Sequence, residues 1–210
     1  MGSKAIRIVL LAGLGLAAAG CAADDSSSKK VPDCSTGTAS AEFSSDVPTW
    51  IQDNFTCIKA SMDGSNIVIE TRDLPVYTSY YYGSTHDRYD PTPPTDTSNP
   101  NLISEQSYTL TIPSSPAVAA SPSQSGLGEV GVAVDGTILF NNQAAPGDSL
   151  ANEESTLDAN DGHPSGQGIY HYHVEMSQLT AGDANLIGIA LDGFPIFGAR
   201  EANNSVAVDA

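Results

Sequence analysis

The sequence predicts an all-β fold, a sandwich or partly closed barrel of short strands, on three observations. Only 16% of the 210 residues are charged, whereas 19 are Gly and 13 are Pro, a composition that favours strands and turns over long helices. Five stretches carry apolar, β-branched or aromatic residues at strand length: Ile67–Glu70, Tyr108–Ile112, Glu129–Phe140, Ile169–Glu175 and Leu186–Phe197. Two of these contain one motif twice. Gly131-Val132-Ala133-Val134-Asp135-Gly136-Thr137-Ile138-Leu139-Phe140 aligns without gaps on Gly188-Ile189-Ala190-Leu191-Asp192-Gly193-Phe194-Pro195-Ile196-Phe197, with five identities in ten positions and an offset of 57 residues.

From the N-terminus, Lys4 and Arg7 precede an apolar run, Ile8 to Ala19, that is too short for a bilayer but suits an export signal. The run ends Ala18-Ala19-Gly20-Cys21, which resembles a lipobox, with Ala18 where Leu is usual. Residues 1–20 are therefore expected to be a lipoprotein signal peptide, with Cys21 as the lipidated residue. Ordinary signal-peptidase cleavage after Ala19 is the alternative, and it would leave an odd cysteine on an exported chain. With Cys21 lipidated, Cys34 and Cys57 remain as a pair, and a disulfide is their expected state outside the cytoplasm. Closing that loop is worth roughly 3 kcal/mol in the chain-entropy description. Residues 21–45, rich in Asp, Ser, Thr and Lys, read as a flexible tether, and residues 46–210 as one β domain.

Trp50-Ile51 and Phe55 are expected to form a short helix or covering loop packed through the single Trp. Gly83 to Asn101 holds Pro91, Pro93, Pro94 and Pro100 and must be a long loop, since Pro cannot donate to a central ladder. In both repeat copies an Asp-Gly pair separates two apolar runs, predicting β-hairpins with type I′ turns. A fainter third copy is expected over Ile69–Tyr77, where Arg72-Asp73 replaces Asp-Gly. Val130–Val134 and Ile187–Leu191 are apolar almost throughout, so both their faces are expected to be buried, with Gly131, Gly188, Ala133 and Ala190 at close contacts. Pro195 is expected at an edge or a bulge.

The charge balance excludes some functions. With 25 acidic and 8 basic side chains the formal charge is −17, which gives no electrostatic route to nucleic acid. Removing residues 1–20 takes away only Lys4 and Arg7, leaving a formal charge of −19 and a surface that attracts cations.

Three of the four histidines lie within Asp161-Gly162-His163-Pro164-Ser165-Gly166-Gln167-Gly168-Ile169-Tyr170-His171-Tyr172-His173. On a strand, His171 and His173 share one face and Tyr170 and Tyr172 the other. Two imidazoles so placed can converge on an ion, with His163 as a third ligand from the preceding turn. Asp161 is the expected fourth ligand; His86, Asp158 and Asp192 are further ligand candidates or partners for a ring N–H. An all-nitrogen set suits copper or zinc, whereas the acidic residues nearby do not fit a calcium loop. The alternative is that the histidines hydrogen-bond within a polar interior. Signatures of a nucleophile elbow, a phosphate loop and a His-Glu-x-x-His helix are absent from the sequence.

Gly162-His163-Pro164, Gly168 to His173 and Leu186 to Gly198 resemble the YHYH family of exported proteins. So do Leu74 to Tyr77, Asn99-Pro100-Asn101, Gln106, Ile112-Pro113 and the Gly131–Phe140 block, so that the resemblance covers about residues 67–198. It implies an exported β-rich domain with His163, His171 and His173 as its recurring histidines, and it brings no activity. Similar proteins continue into a further His-rich stretch, whereas this sequence stops at Val208-Asp209-Ala210, so a C-terminal truncation and a missing downstream ligand are expected. Three functional readings follow. The first is an extracytoplasmic, lipid-anchored β-domain, at the outer membrane or cell surface, binding a transition metal. The second is a zinc-dependent hydrolase or lyase using Glu175, Asp161 or Asp192 as base. The third is a cell-surface recognition module built on Tyr77, Tyr80, Tyr81, Tyr82 and Tyr89.

Overall fold

The computed structural model describes residues 7–8, 31–121, 123–144, 149–173, 176, 178 and 185–198. The described strands are β1 (Arg7–Ile8), β2 (Glu42–Phe43), β3 (Ile58–Asp63), β4 (Asn66–Thr71), β5 (Tyr108–Pro113), β6 (Glu129–Ala133), β7 (Ile138–Phe140), β8 (Gly162–Pro164), β9 (Tyr170–Tyr172), β10 (Leu186–Ala190) and β11 (Pro195–Phe197). Two four-residue helices, α1 (Thr49–Gln52) and α2 (Leu150–Glu153), and two 3₁₀ turns, at Tyr80–Tyr82 and Glu154–Thr156, lie between them. One sheet has the order β2-β3-β4-β5 and the other β1-β11-β10-β6-β7-β9-β8. The architecture is thus a sandwich of two open sheets rather than a closed barrel. Among the described residues no helix is long and apolar enough to cross a membrane.

Side-chain alternation explains the smaller sheet. Ile58 and Ala60 on β3, Ile67 and Ile69 on β4, and Leu110 and Ile112 on β5 are buried, while their neighbours are more accessible. They pack against Val132, Ile138 and Ile189 of the larger sheet, and Val47, Ile51 and Phe55 join the same core. Each of the larger side chains, Val, Ile, Leu or Phe, contributes about 1.5–3 kcal/mol on removal from water. Trp50, expected to be the packing residue here, is instead 36% exposed and meets Phe55 edge-on at 6.2 Å; Ile51 and Phe55 make the buried contacts. A second core, with Ala133, Leu139, Tyr170, Tyr172, Ile187 and Ile196, buries the other face of the larger sheet.

The two repeat copies are hairpins, and they pair with each other. β6 and β10 run antiparallel with Gly188 opposite Ala133, Ile189 opposite Val132 and Ala190 opposite Gly131, so each Gly of one copy faces the Ala of the other. The flanking bonds obey the same symmetry: the Val134 amide donates to the Ile187 carbonyl at 2.8 Å and the Leu191 amide to the Val130 carbonyl at 2.9 Å. A Cβ on Gly131 would lie 2.5 Å from the Ile189 carbonyl oxygen, and one on Gly188 would lie 2.3 Å from that of Val132. Glycine is the residue that permits this approach on both sides of the local two-fold.

The turns differ from expectation. In each hairpin only the glycine has positive φ, 83° at Gly136 and 93° at Gly193. The Gly136 amide donates to the Ala133 carbonyl and the Ala133 amide to the Thr137 carbonyl; Gly193, Ala190 and Phe194 repeat the arrangement. These are three-residue loops, a type I turn closed by a left-handed glycine, rather than two-residue type I′ turns. The aspartate chooses the turn, because Asp135 Oδ1 accepts the Thr137 amide and Asp192 Oδ1 the Phe194 amide, which keeps Asp in the right-handed region. Ile69–Tyr77 is not a third hairpin: β4 pairs with β3 and β5, and Asp73 at φ 52° instead accepts the Ile138 amide across the sandwich. Pro195 is the first residue of β11, where it disrupts least.

Cys34 and Cys57 form a disulfide, with Cα atoms 5.7 Å apart. Within the expected tether, the chain is docked from Asp33 onward: Arg72 pairs with Asp33 at 2.8 Å, and the Arg88 guanidinium donates to the carbonyls of Ser35 and Gly37.

Candidate functional site

β8 and β9 are antiparallel neighbours, with His163 directly opposite His171. Directly opposed residues share a sheet face, and His173, two residues beyond His171, returns to that face although β9 ends at Tyr172. All three histidines are buried, with His163, His171 and His173 at 6%, 3% and 4% exposure. One ring nitrogen from each comes together, all within 4.8 Å of one another, and the Nε2 atoms of His171 and His173 are 3.1 Å apart.

The hydrogen bonds on the far side of each ring define the tautomers. His171 Nδ1 lies 3.0 Å from the Ile169 carbonyl oxygen, and His173 Nδ1 lies 2.5 Å from that of Asn141. A carbonyl only accepts, so both Nδ1 atoms carry the proton. His163 Nδ1 is 2.7 Å from Thr156 Oγ1, whose own proton goes to the Glu153 carbonyl at 2.8 Å, so the hydroxyl accepts from His163. Each ring therefore donates outward from Nδ1, and each in its neutral form turns the lone pair of Nε2 inward. Three lone pairs facing one another repel unless a cation lies among them.

Protonation of His163 or His171 is a poor source of that cation. Burial, and then the charge of His173, lower the His163 pKa to about 4. Burial lowers that of His171 to about 3, with His163 and His173 adding to the effect. At neutral pH these two rings are neutral and able to act as ligands. The ring of Phe140 stacks on His171 at 4.0 Å and meets His173 edge-on at 5.9 Å, fixing both rings from the sandwich side.

The tyrosines of the motif occupy the opposite face and are fully buried. Tyr170 donates to Asp158 at 2.8 Å and Tyr172 to Asp135 at 2.9 Å. Asp158, considered above as a ligand or ring partner, also accepts from the Ser79 hydroxyl and the Asn160 amide, and thus serves the tyrosine face. Burial raises its pKa. Asp161 sits at φ 63° in the turn before β8, its amide bonded to the Asp158 carbonyl, and it is outside the three-histidine group. His86 stacks on Tyr82 at 4.2 Å and accepts the Arg88 amide, while Asp192 closes the second hairpin. Cys21 and Glu175 lie outside the described residues.

The carboxylate beside the histidines is one that sequence reasoning missed. Glu153, at the end of α2, places Oε2 3.6 Å from His173 Nε2 and 3.8 Å from His163 Nε2. Its position in the polar run before β8 has no metal-motif spacing to give it away.

The histidines open onto a cleft of about 810 Å³. One wall is the end of the Pro-rich loop, residues 98–101, and another is the segment 163–167. Asn99 ties these together by donating to the Pro164 carbonyl at 2.9 Å, and the Asp96 amide anchors the loop on the Ser155 carbonyl at 2.7 Å. The tyrosine cluster is directed elsewhere. Tyr81 and Tyr82 are buried, and the Tyr81 hydroxyl donates to the Thr156 carbonyl, bracing the residue that holds His163.

Compared with known proteins, residues 109–209 match the family model described as YHYH protein. That span contains both hairpins, Glu153 and the three histidines. Neither a curated protein nor a solved structure matches the chain.

Proposed function

Residues 109–209 carry the YHYH protein domain, and from that premise we propose that the chain is an extracytoplasmic β-domain that binds a transition metal ion through His163, His171 and His173. The observation that carries this reading is the convergence of three buried imidazole nitrogens on rings whose Nδ1 atoms are all bonded outward, so that each neutral ring offers Nε2 to a common ion. In a tetrahedral site with metal–nitrogen bonds of about 2.0–2.1 Å, ligand nitrogens stand about 3.3 Å apart, close to the 3.1 Å between His171 and His173. Thr156, Ile169 and Asn141 supply the outer hydrogen bonds that orient such ligands. An all-imidazole set suits zinc and copper. The Cys34–Cys57 disulfide supports an oxidising compartment, and the reading includes an export signal and lipid attachment at Cys21.

Elemental analysis of the untagged protein tests the metal. About one equivalent of zinc or copper per chain is expected, and it should be lost in His171→Ala/His173→Ala while the fold remains, as followed by circular dichroism. Equal metal content in the two proteins would overturn the proposal.

A further inference from the structure

Resting on that metal-binding reading, we infer that the three-histidine site is hydrolytic, with Glu153 as the general base and an uncharged ester or amide as the substrate class. Three imidazole nitrogens lie within 4.8 Å of one another, and Glu153 Oε2 stands 3.6 Å and 3.8 Å from two of these rings' Nε2 atoms. Glu153 also lines the cleft, as do the three histidines, so the carboxylate and the ligand group face one common space. A three-nitrogen site leaves a coordination position open, which is the arrangement of catalytic rather than structural zinc centres. The Glu153 side chain is one-fifth exposed, enough to meet water from the cleft.

The lining restricts the substrate. It includes Asn99, Asn101, Gln143, Asn152 and Gln167, side chains that donate and accept without charge. Among the described residues it contains no Lys or Arg, and Glu153 is the acidic residue in it. Apart from the ion itself, a phosphoester or a carboxylate-bearing substrate would meet no cationic side chain among the described lining residues, in a protein of formal charge −17. A neutral acyl group can accept from the amide side chains.

When bound, the ion supplies Lewis acidity at the open position. Glu153 takes one proton from a water molecule, and the water oxygen forms a bond to the acyl carbon. The bond from that carbon to the leaving oxygen or nitrogen breaks, and Glu153 returns the proton to the leaving group. The products are a carboxylic acid and an alcohol or amine, and no oxidant or reductant is needed.

The test compares the zinc-loaded full chain with Glu153→Gln. The probes are p-nitrophenyl acetate as the neutral ester, bis(p-nitrophenyl) phosphate as the anionic control, and acetohydroxamate as a reporter of the open position in cobalt-substituted protein. Expected results are equal metal content in both proteins, an acetohydroxamate-induced change in the cobalt spectrum of both, and a 10²- to 10⁴-fold lower kcat for the ester in the variant. Loss of the ion in Glu153→Gln would make Glu153 a ligand and overturn the inference. So would full metal loading of the wild type without ester turnover above free zinc, or faster turnover of the phosphodiester. A wild type that takes up no metal would instead overturn the underlying metal reading.

Discussion

Acidification should destabilise the metal-free protein through two of the three histidines. In the unfolded chain a histidine titrates near 6.5, whereas in the fold His163 titrates at about 4 and His171 at about 3, chiefly because burial disfavours the imidazolium. A folded pKa below the unfolded one means that the unfolded state binds protons first. Stability is therefore fully present above pH 6.5 and falls as the pH drops towards the folded values. At pH 5 an unfolded histidine has gained about 2 kcal/mol from protonation that a folded one with pKa 4 or lower has not, so the two together cost about 4 kcal/mol. Asp73, Asp135 and Asp158 act in the opposite direction, since burial raises their pKa values and the fold then gains protons in acid. The assay removes that background by difference. Urea unfolding of the chelator-treated protein and of His163→Gln/His171→Gln is followed at pH 7 and pH 5, and the wild type should lose about 4 kcal/mol more than the variant. Equal losses would refute the argument that these rings are held neutral by burial.

Further outcomes follow from single contacts. Gly188→Ala places a Cβ 2.3 Å from the Val132 carbonyl oxygen and should cost about 2–4 kcal/mol, seen as a lowered thermal midpoint with the metal removed. Asp158→Asn weakens the Tyr170 and Ser79 hydrogen bonds, so stability should fall by about 1–3 kcal/mol while metal stoichiometry stays unchanged; lost metal would place Asp158 at the ion. Thr156→Val deprives His163 Nδ1 of its acceptor and should weaken metal affinity about 10- to 100-fold in a competition titration with a chromogenic chelator.

The parts of the fold visible in the sequence are those set by local pattern. The duplicated Asp-Gly blocks announce two hairpins, and the unbroken apolar character of their first strands announces burial on both faces. What pattern does not encode is which strands become neighbours. The parallel pairing of β7 with β9 brings Phe140 onto His171, and it joins segments with no sequence relation to each other. Strand β3 alternates strictly from Ile58 to Asp63, but Lys59, Ala60 and Asp63 are poor strand formers and mask it; its pairing with β4 supplies the stability that propensity lacks.

The site divides along the same line. His163, His171 and His173 are close in sequence and alternate correctly, so their convergence is legible. Glu153 reaches the same space because α2 and the turn after it fold over the sheet face, and nothing in the spacing of residues 153 and 163 reports that. Asp158 is misleading for a related reason: proximity in sequence to the histidines does not determine the face it serves, and the buried Tyr170 hydroxyl claims it. Tyr81 and Tyr82 read as surface groups by composition, yet each hydroxyl finds a backbone carbonyl inside the fold, at Thr156 and Pro75.

X-ray absorption at the metal edge of the zinc- or copper-loaded protein reads out whether three Nε2 atoms share one ion. Three imidazole nitrogens at about 2.0–2.1 Å from the ion are expected. A shell with one imidazole or none would contradict a shared ion.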